Sequence, residues 1–284
     1  MSNKKTLAVT AFALLLSQQS FASETEGFYF GGGYYGQFFN SIGSLGVKAA
    51  EGSKYVTVDV YVQDKIKGQK PSEYKGDYNP PFAGNIAFGY TGGLGNNSYR
   101  AELEGIYSSV KADNVGLEGN QMSVLYLKEI SGKKYMYDTK VDNNKIENAS
   151  VMVNAYYHLK NDSFFFSPYV GAGVGLTRMK MFGEASIRPA YQLKAGLDYS
   201  VNENVNMHVG YRHFGAFGTD HKLKANVLGE VAQQQLGNKK ISVLNEGEKP
   251  ADMKLYSEGI SIDSGLFTTH GIEAGLTFHF ASKS

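Results

Sequence analysis

The sequence predicts an all-β fold, an eight-stranded antiparallel transmembrane β-barrel with long extracellular loops. Three observations carry that expectation. Eight segments of about ten residues alternate apolar and polar side chains with a period of two. The links between them alternate strictly between short and long. After residue 22 no apolar run approaches the roughly 20 residues that a membrane-spanning helix needs.

The N-terminus comes first. Lys4 and Lys5 give a short positive start, residues 6–16 are mostly apolar, and Ser20-Phe21-Ala22 offers small residues at the two positions a signal peptidase inspects. This predicts a signal peptide over residues 1–22, cut after Ala22, and a barrel domain over residues 23–284. The apolar stretch is too short to serve as a membrane anchor.

The first alternating segment, 27–38, places Phe28, Phe30 and Tyr34 on one face and Gly31 and Gly33 on the other. In 83–91, Ile86, Phe88 and Tyr90 oppose Asn85, Ala87 and Gly89. In 99–108, Tyr99, Ala101, Leu103 and Tyr107 oppose Arg100, Glu102 and Glu104, and those charges must point to the lumen because they cannot face lipid. The fourth segment, 149–159, sets Val151, Val153, Ala155 and Tyr157 against Met152, Asn154, Tyr156 and His158. The fifth, 169–178, sets Val170, Ala172, Val174 and Leu176 against Gly171, Gly173 and Gly175. The sixth, 190–199, sets Tyr191, Leu193, Ala195, Leu197 and Tyr199 against Gln192, Lys194, Gly196 and Asp198. The seventh, 205–214, sets Val205, Met207, Val209 and Tyr211 against Asn206, His208, Gly210 and Arg212. The eighth, 271–280, sets Ile272, Ala274, Leu276, Phe278 and Phe280 against Glu273, Gly275, Thr277 and His279.

The short links at 92–97, 160–162 and 202–204 carry Gly, Asn and Asp, which suit hairpin turns. Those at 40–82, 109–148, 179–189 and 215–269 are mostly long, which puts the long connections at one end and predicts mobile, hydrophilic, Lys-rich loops there. Residues 55–63 and 121–128 also alternate, and are assigned to the loops as hairpin arms because an odd strand count would break the even-strand pattern.

Composition narrows the function classes. The chain holds 34 Gly, 20 Tyr and 17 Phe with only 6 Pro and no Cys, so it carries no disulfide framework. Its net charge is +1, or −1 without Lys4 and Lys5, which provides no basic field for nucleic acid. The candidate site is the set of lumen charges, Arg100, Lys194 and Arg212 against Glu102, Glu104, Asp198 and Glu273. They pair as a structural plug, or line a polar path eased by the inward glycines; an eight-stranded interior is only just wide enough for its own side chains. Gly171-Ala172-Gly173-Val174-Gly175 lacks the following helix that a nucleotide loop requires. His208 and His213 point to opposite faces, and neither His213 nor His221 has a Ser and an acid placed beside it by spacing. No cofactor and no metal ligand set is expected.

Tyr78-Asn79-Pro80-Pro81-Phe82-Ala83-Gly84-Asn85-Ile86, Tyr99-Arg100-Ala101-Glu102-Leu103-Glu104, Ser167-Pro168-Tyr169-Val170-Gly171-Ala172-Gly173-Val174-Gly175, Tyr191-Gln192-Leu193-Lys194-Ala195-Gly196 and the ending at Phe278 occur in this order. In that order they resemble the surface-antigen family of the Anaplasmataceae, the major surface proteins of obligate intracellular bacteria. The resemblance covers the strand regions and lapses in the loops. It implies an outer-membrane location, an eight-stranded barrel, exposure to host immunity, and adhesion or solute passage. The leading expectation is therefore a non-enzymatic surface antigen acting through its loops, with outer-membrane lipid, barrel-assembly machinery and host molecules or antibodies as partners. The alternatives are a passive porin for small polar solutes and a lipid-modifying barrel enzyme.

Overall fold

The computed structural model describes residues 26–41, 45–49, 55–56, 82–111, 121–142, 145–159, 166–218, 220–236, 239–246 and 258–280. Residues 1–22, the turn at 160–162 and the stretch 57–63 lie outside the described residues. Sixteen strands follow in chain order: β1 (Gly27–Ser41), β2 (Leu45–Ala49), β3 (Tyr55–Val56), β4 (Phe82–Leu94), β5 (Asn97–Lys111), β6 (Gln121–Ile130), β7 (Lys133–Asp142), β8 (Lys145–His158), β9 (Phe166–Met181), β10 (Glu184–Asn202), β11 (Val205–Ala216), β12 (Asp220–Lys224), β13 (Asn226–Leu236), β14 (Lys239–Glu246), β15 (Glu258–Ser264) and β16 (Phe267–His279).

Eight of these close a barrel in the order β1-β16-β11-β10-β9-β8-β5-β4, every neighbour antiparallel. Closure falls on β1, which pairs Phe30 with Phe278 on one side and with Phe88 on the other. A closed ladder leaves no unpaired backbone edge, which is what hydrocarbon demands of a spanning sheet. The outer wall is apolar: Phe30, Ile86, Leu103, Val153, Val174, Leu193, Tyr211 and Ile272 are all exposed. An encircling belt of this kind would drive aggregation in water and suits lipid. The opposite face of each strand is buried, with the period-2 alternation cleanest in β8 and β16.

The connections depart from the expected loops. The link expected over 179–189 is a tight hairpin, in which β9 runs on to Met181 and β10 starts at Glu184. Between them stand Phe182 at φ 56° and Gly183 at φ 88°, the positive pair of a type I′ turn. The sequence hides this turn because Pro189 reads as a strand breaker, whereas here it lies inside β10 opposite Leu176. With 16 and 19 residues, β9 and β10 exceed the roughly 9–11 residues of a bilayer crossing, so this hairpin rises clear of the membrane.

The remaining long links also contain sheet. Residues 121–128 lie in β6, and β6–β7 is a hairpin turning at Ser131 and Gly132, both with positive φ. Tyr55 and Val56 pair with Lys128 and Leu127 as β3, so the start of the 55–63 stretch belongs to this sheet and not to the barrel wall. Two sheets result, β14-β13-β7-β6-β3 and β12-β15-β2, together forming a platform beyond the barrel end opposite the start of β1 and the close of β16. One apolar core ties platform to barrel. Met179, Phe214 and Phe267 of the barrel strands and Phe182 of the β9–β10 turn pack with Tyr137 and Val141 of β7, Leu223 of β12 and Ile262 of β15. The expected mobile loops are thus sheets over the described residues, because these apolar side chains, too sparse to be noticed in any one loop, are pooled from three separate links.

Candidate functional site

The strand register carries the candidate charges to one level of the lumen. Glu104 of β5 is fully buried and receives five donors from four strands. Asn85 of β4 donates to it, as do Asn154 Nδ2 of β8 at 2.9 Å and Gln192 Nε2 of β10 at 2.6 Å. Lys194 Nζ of β10 donates at 3.0 Å and Arg212 Nη2 of β11 at 2.5 Å. Arg212 also holds Glu273 of β16, its Nε donating at 2.7 Å, and its guanidinium lies 4.5 Å from the centre of the Tyr35 ring.

A second cluster forms toward the other end. Tyr29 and Tyr156 donate their hydroxyls to Glu102 at 2.6 and 2.5 Å, and Asn154 Nδ2 also donates to it at 2.9 Å. Arg100 does not reach Glu104. Its Nη1 donates to Asp198 at 3.4 Å, its Nε is 4.0 Å from Glu102, and its guanidinium stacks 4.2 Å above the Tyr156 ring. Asp198 belongs to β10, so this contact crosses the lumen instead of linking neighbouring strands. Asp198 also sits 3.1 Å from Nδ1 of His158. Lys194 joins the two clusters, lying 3.9 Å from Glu102 and 3.7 Å from Glu273.

All seven candidate charges therefore meet in one interior network. Its neutral members, Tyr29, Asn85, Asn154, Tyr156 and Gln192, were not singled out as site residues from the sequence, although the alternation already placed most of them on the inward face. The inward glycines make room for these groups and not for a channel. A Cβ at Gly171 would collide with the Tyr156 ring, and one at Gly173 with the Asn154 amide. What remains among Arg100, Glu102, Lys194 and Glu273 is a cavity of about 20 Å³, room for roughly one water. Chemically the arrangement neutralises and locks; it leaves no carboxylate of the network open to a substrate.

The two histidines considered for lipid chemistry lie elsewhere. His213 stands 3.3 Å from the Tyr191 hydroxyl on the outer wall. His221 of β12 is buried, edge-on to Phe182 with ring centres 5.6 Å apart and in contact with Arg188. Burial, and then the Arg188 charge, pushes the His221 imidazole down from 6.5 to about 4. Because the folded value is depressed, the stabilisation from neutral His221 is complete above pH 6.5 and is lost as pH falls toward 4. Amide exchange in β12 and β15, corrected for its intrinsic pH dependence, should quicken over that window and level off below it. In a His221→Phe variant the dependence should flatten; an unchanged profile in that variant would assign the loosening to another group.

A family model described as surface antigen matches residues 21–280. Major surface antigen 4 of Anaplasma marginale is 25% identical over 231 residues, covering 74% of this chain and 78% of that protein. Among solved structures, Neisserial surface protein A is similar at a TM-score of 0.41 and 14% identity, over 91% of this chain and 100% of that one. The outer membrane protein OprG from Pseudomonas aeruginosa is similar at 0.42 and 12%, over 91% and 99%.

Proposed function

The chain belongs to the surface antigen family and is a β-barrel of the bacterial outer membrane, and from that premise we propose that it works through its platform, presented outward to host molecules and antibodies, while the barrel serves as a closed anchor. The observation that carries this reading is the filled lumen beneath a folded platform. Glu104 alone gathers donors from four strands, and the residual cavity admits about one water. A barrel built to pass solutes needs a wet bore, which eight strands scarcely provide. An enzyme needs reacting groups held open, and these are tied to one another.

Orientation supplies the test. The β6–β7 tip at Ser131-Gly132 and the exposed Lys133 should face the medium, and the Glu203-Asn204 turn the periplasm. Antibodies against the β6–β7 tip should label unpermeabilised cells, and those against residues 202–204 should not. The reverse pattern would overturn the reading. In a planar bilayer the refolded protein should give brief, small steps or none. Large, stable steps would favour the passive porin instead.

A further inference from the structure

We propose that the outer wall of the barrel carries a site for one anionic phospholipid, with an acyl chain in a groove over Gly105 and the phosphate at Arg178 and Lys180. Along the outer face of β8 the side chains run Tyr157, Ala155, Val153, Val151 and Ala149, then change to Glu147 and Lys145. Along β9 they run Val170, Ala172, Val174 and Leu176, then change to Arg178 and Lys180. These changes mark the platform-side edge of the lipid-facing band. Register brings them together, since Arg178 is opposite Ala149 and Lys180 is opposite Glu147. Lys145 Nζ holds Glu147 at 2.5 Å, and Glu147 also lies within the field of Lys180 and Arg178. Three cations thus surround one carboxylate, an excess of positive charge where the headgroups begin. The far neighbour of Arg178, Ile187 of β10, is 69% exposed and brings no counter-charge.

Immediately below this cluster the wall is indented. Gly84, Gly105 and Ala149 form the floor, and Ile86, Tyr107 and Val151 the sides, of an open, apolar groove of about 600 Å³. Gly105 lies between Ile86 and Val151 across the ladders, and Tyr107 between Gly84 and Ala149, so the upper margin of the groove is the residue opposite Arg178. The groove opens into hydrocarbon, where it meets either acyl chains or another barrel. A second copy in the same orientation, related by an axis along the bilayer normal, would bring two identical basic clusters together at one height. An anionic phospholipid satisfies both halves at once, its chain filling the groove and its phosphate taking the guanidinium in a charge-assisted pair.

The site is separate from the platform reading, and its failure would leave that reading untouched. The test uses the full folded chain in micelles doped with phosphatidylglycerol or phosphatidylcholine, with retained lipid counted by native mass spectrometry. One phosphatidylglycerol per barrel should be retained, preferred roughly tenfold, the scale of one charge-assisted contact. The preference should vanish in an Arg178→Gln/Lys180→Gln variant and survive Lys133→Gln, while Gly105→Leu should reduce retention of both lipids. Heat-dependent gel mobility shows that each variant is closed. Equal retention of the two lipids by the unaltered chain would overturn the proposal. So would displacement of the lipid by inorganic phosphate alone, or a dimer mass abolished by Gly105→Leu, which would assign the groove to a second copy.

Discussion

Replacing Arg212 by Met is expected to lower the unfolding free energy of the barrel by about 3–5 kcal/mol, the usual cost of removing one partner from a buried ion pair. Arg212 is 1% exposed and bridges Glu104 to Glu273, so its loss leaves two carboxylates in the interior with Lys194 as the remaining nearby cation. Adding Glu273→Gln should recover part of the loss, since it removes one of the stranded charges. Reversible urea unfolding in detergent, followed by tryptophan-free fluorescence of the tyrosines and by gel mobility, measures both variants. An Arg212→Met barrel as stable as the parent, with no coupling to Glu273, would show that water screens the lumen and would return the polar-path reading to first place.

The second large effect lies at the top of the β9–β10 hairpin. Phe182 is buried although it occupies a turn tip with left-handed backbone, a costly place for a bulky residue. It is kept there by its packing with Leu223, Ile262 and the His221 ring. Phe182→Ala is expected to remove about 3–5 kcal/mol of packing, felt first by the platform. Exchange of β12 and β15 amides should rise at least about a hundredfold, while heat-dependent gel mobility of the barrel stays as it was. Loss of the mobility shift as well would mean that platform and barrel unfold together. Unchanged exchange would mean that Phe182 does not anchor the sheets.

The barrel was legible because lipid and lumen impose opposite demands on successive residues. Arg100, Glu102 and Glu104 between Tyr99, Ala101, Leu103 and Tyr107 admit one orientation only, and the folded barrel keeps it. Pairing was less legible than facing. Alternation gives no information about who meets whom across the lumen, so Arg100 could be assigned to the inside but not to Asp198. Arg188 and Pro189 lie in the link read from the sequence, before the expected strand at 190–199, although both continue β10. The platform was hidden for a different reason. Its strands pair between links far apart in sequence, as β7 does with β13, and no local pattern reports such partners.

The long reach of the Glu104 contacts also sets an order in time. Arg212 and Glu104 are separated by 108 residues, and Tyr169 and Glu273 by 104. A chain entering the membrane from its N-terminal strands would present Glu102 and Glu104 before Lys194, Arg212 and Glu273 arrive, and contacts of such separation form slowly. Until β10 and β11 arrive, Glu102 and Glu104 stand on the inner face with Arg100 as the one cation of the network. β11 therefore completes the ion pairs of Glu104, and the last strand adds Glu273 beside Arg212 as it closes the hydrogen-bonded ring; release before β11 would strand the early acids in hydrocarbon.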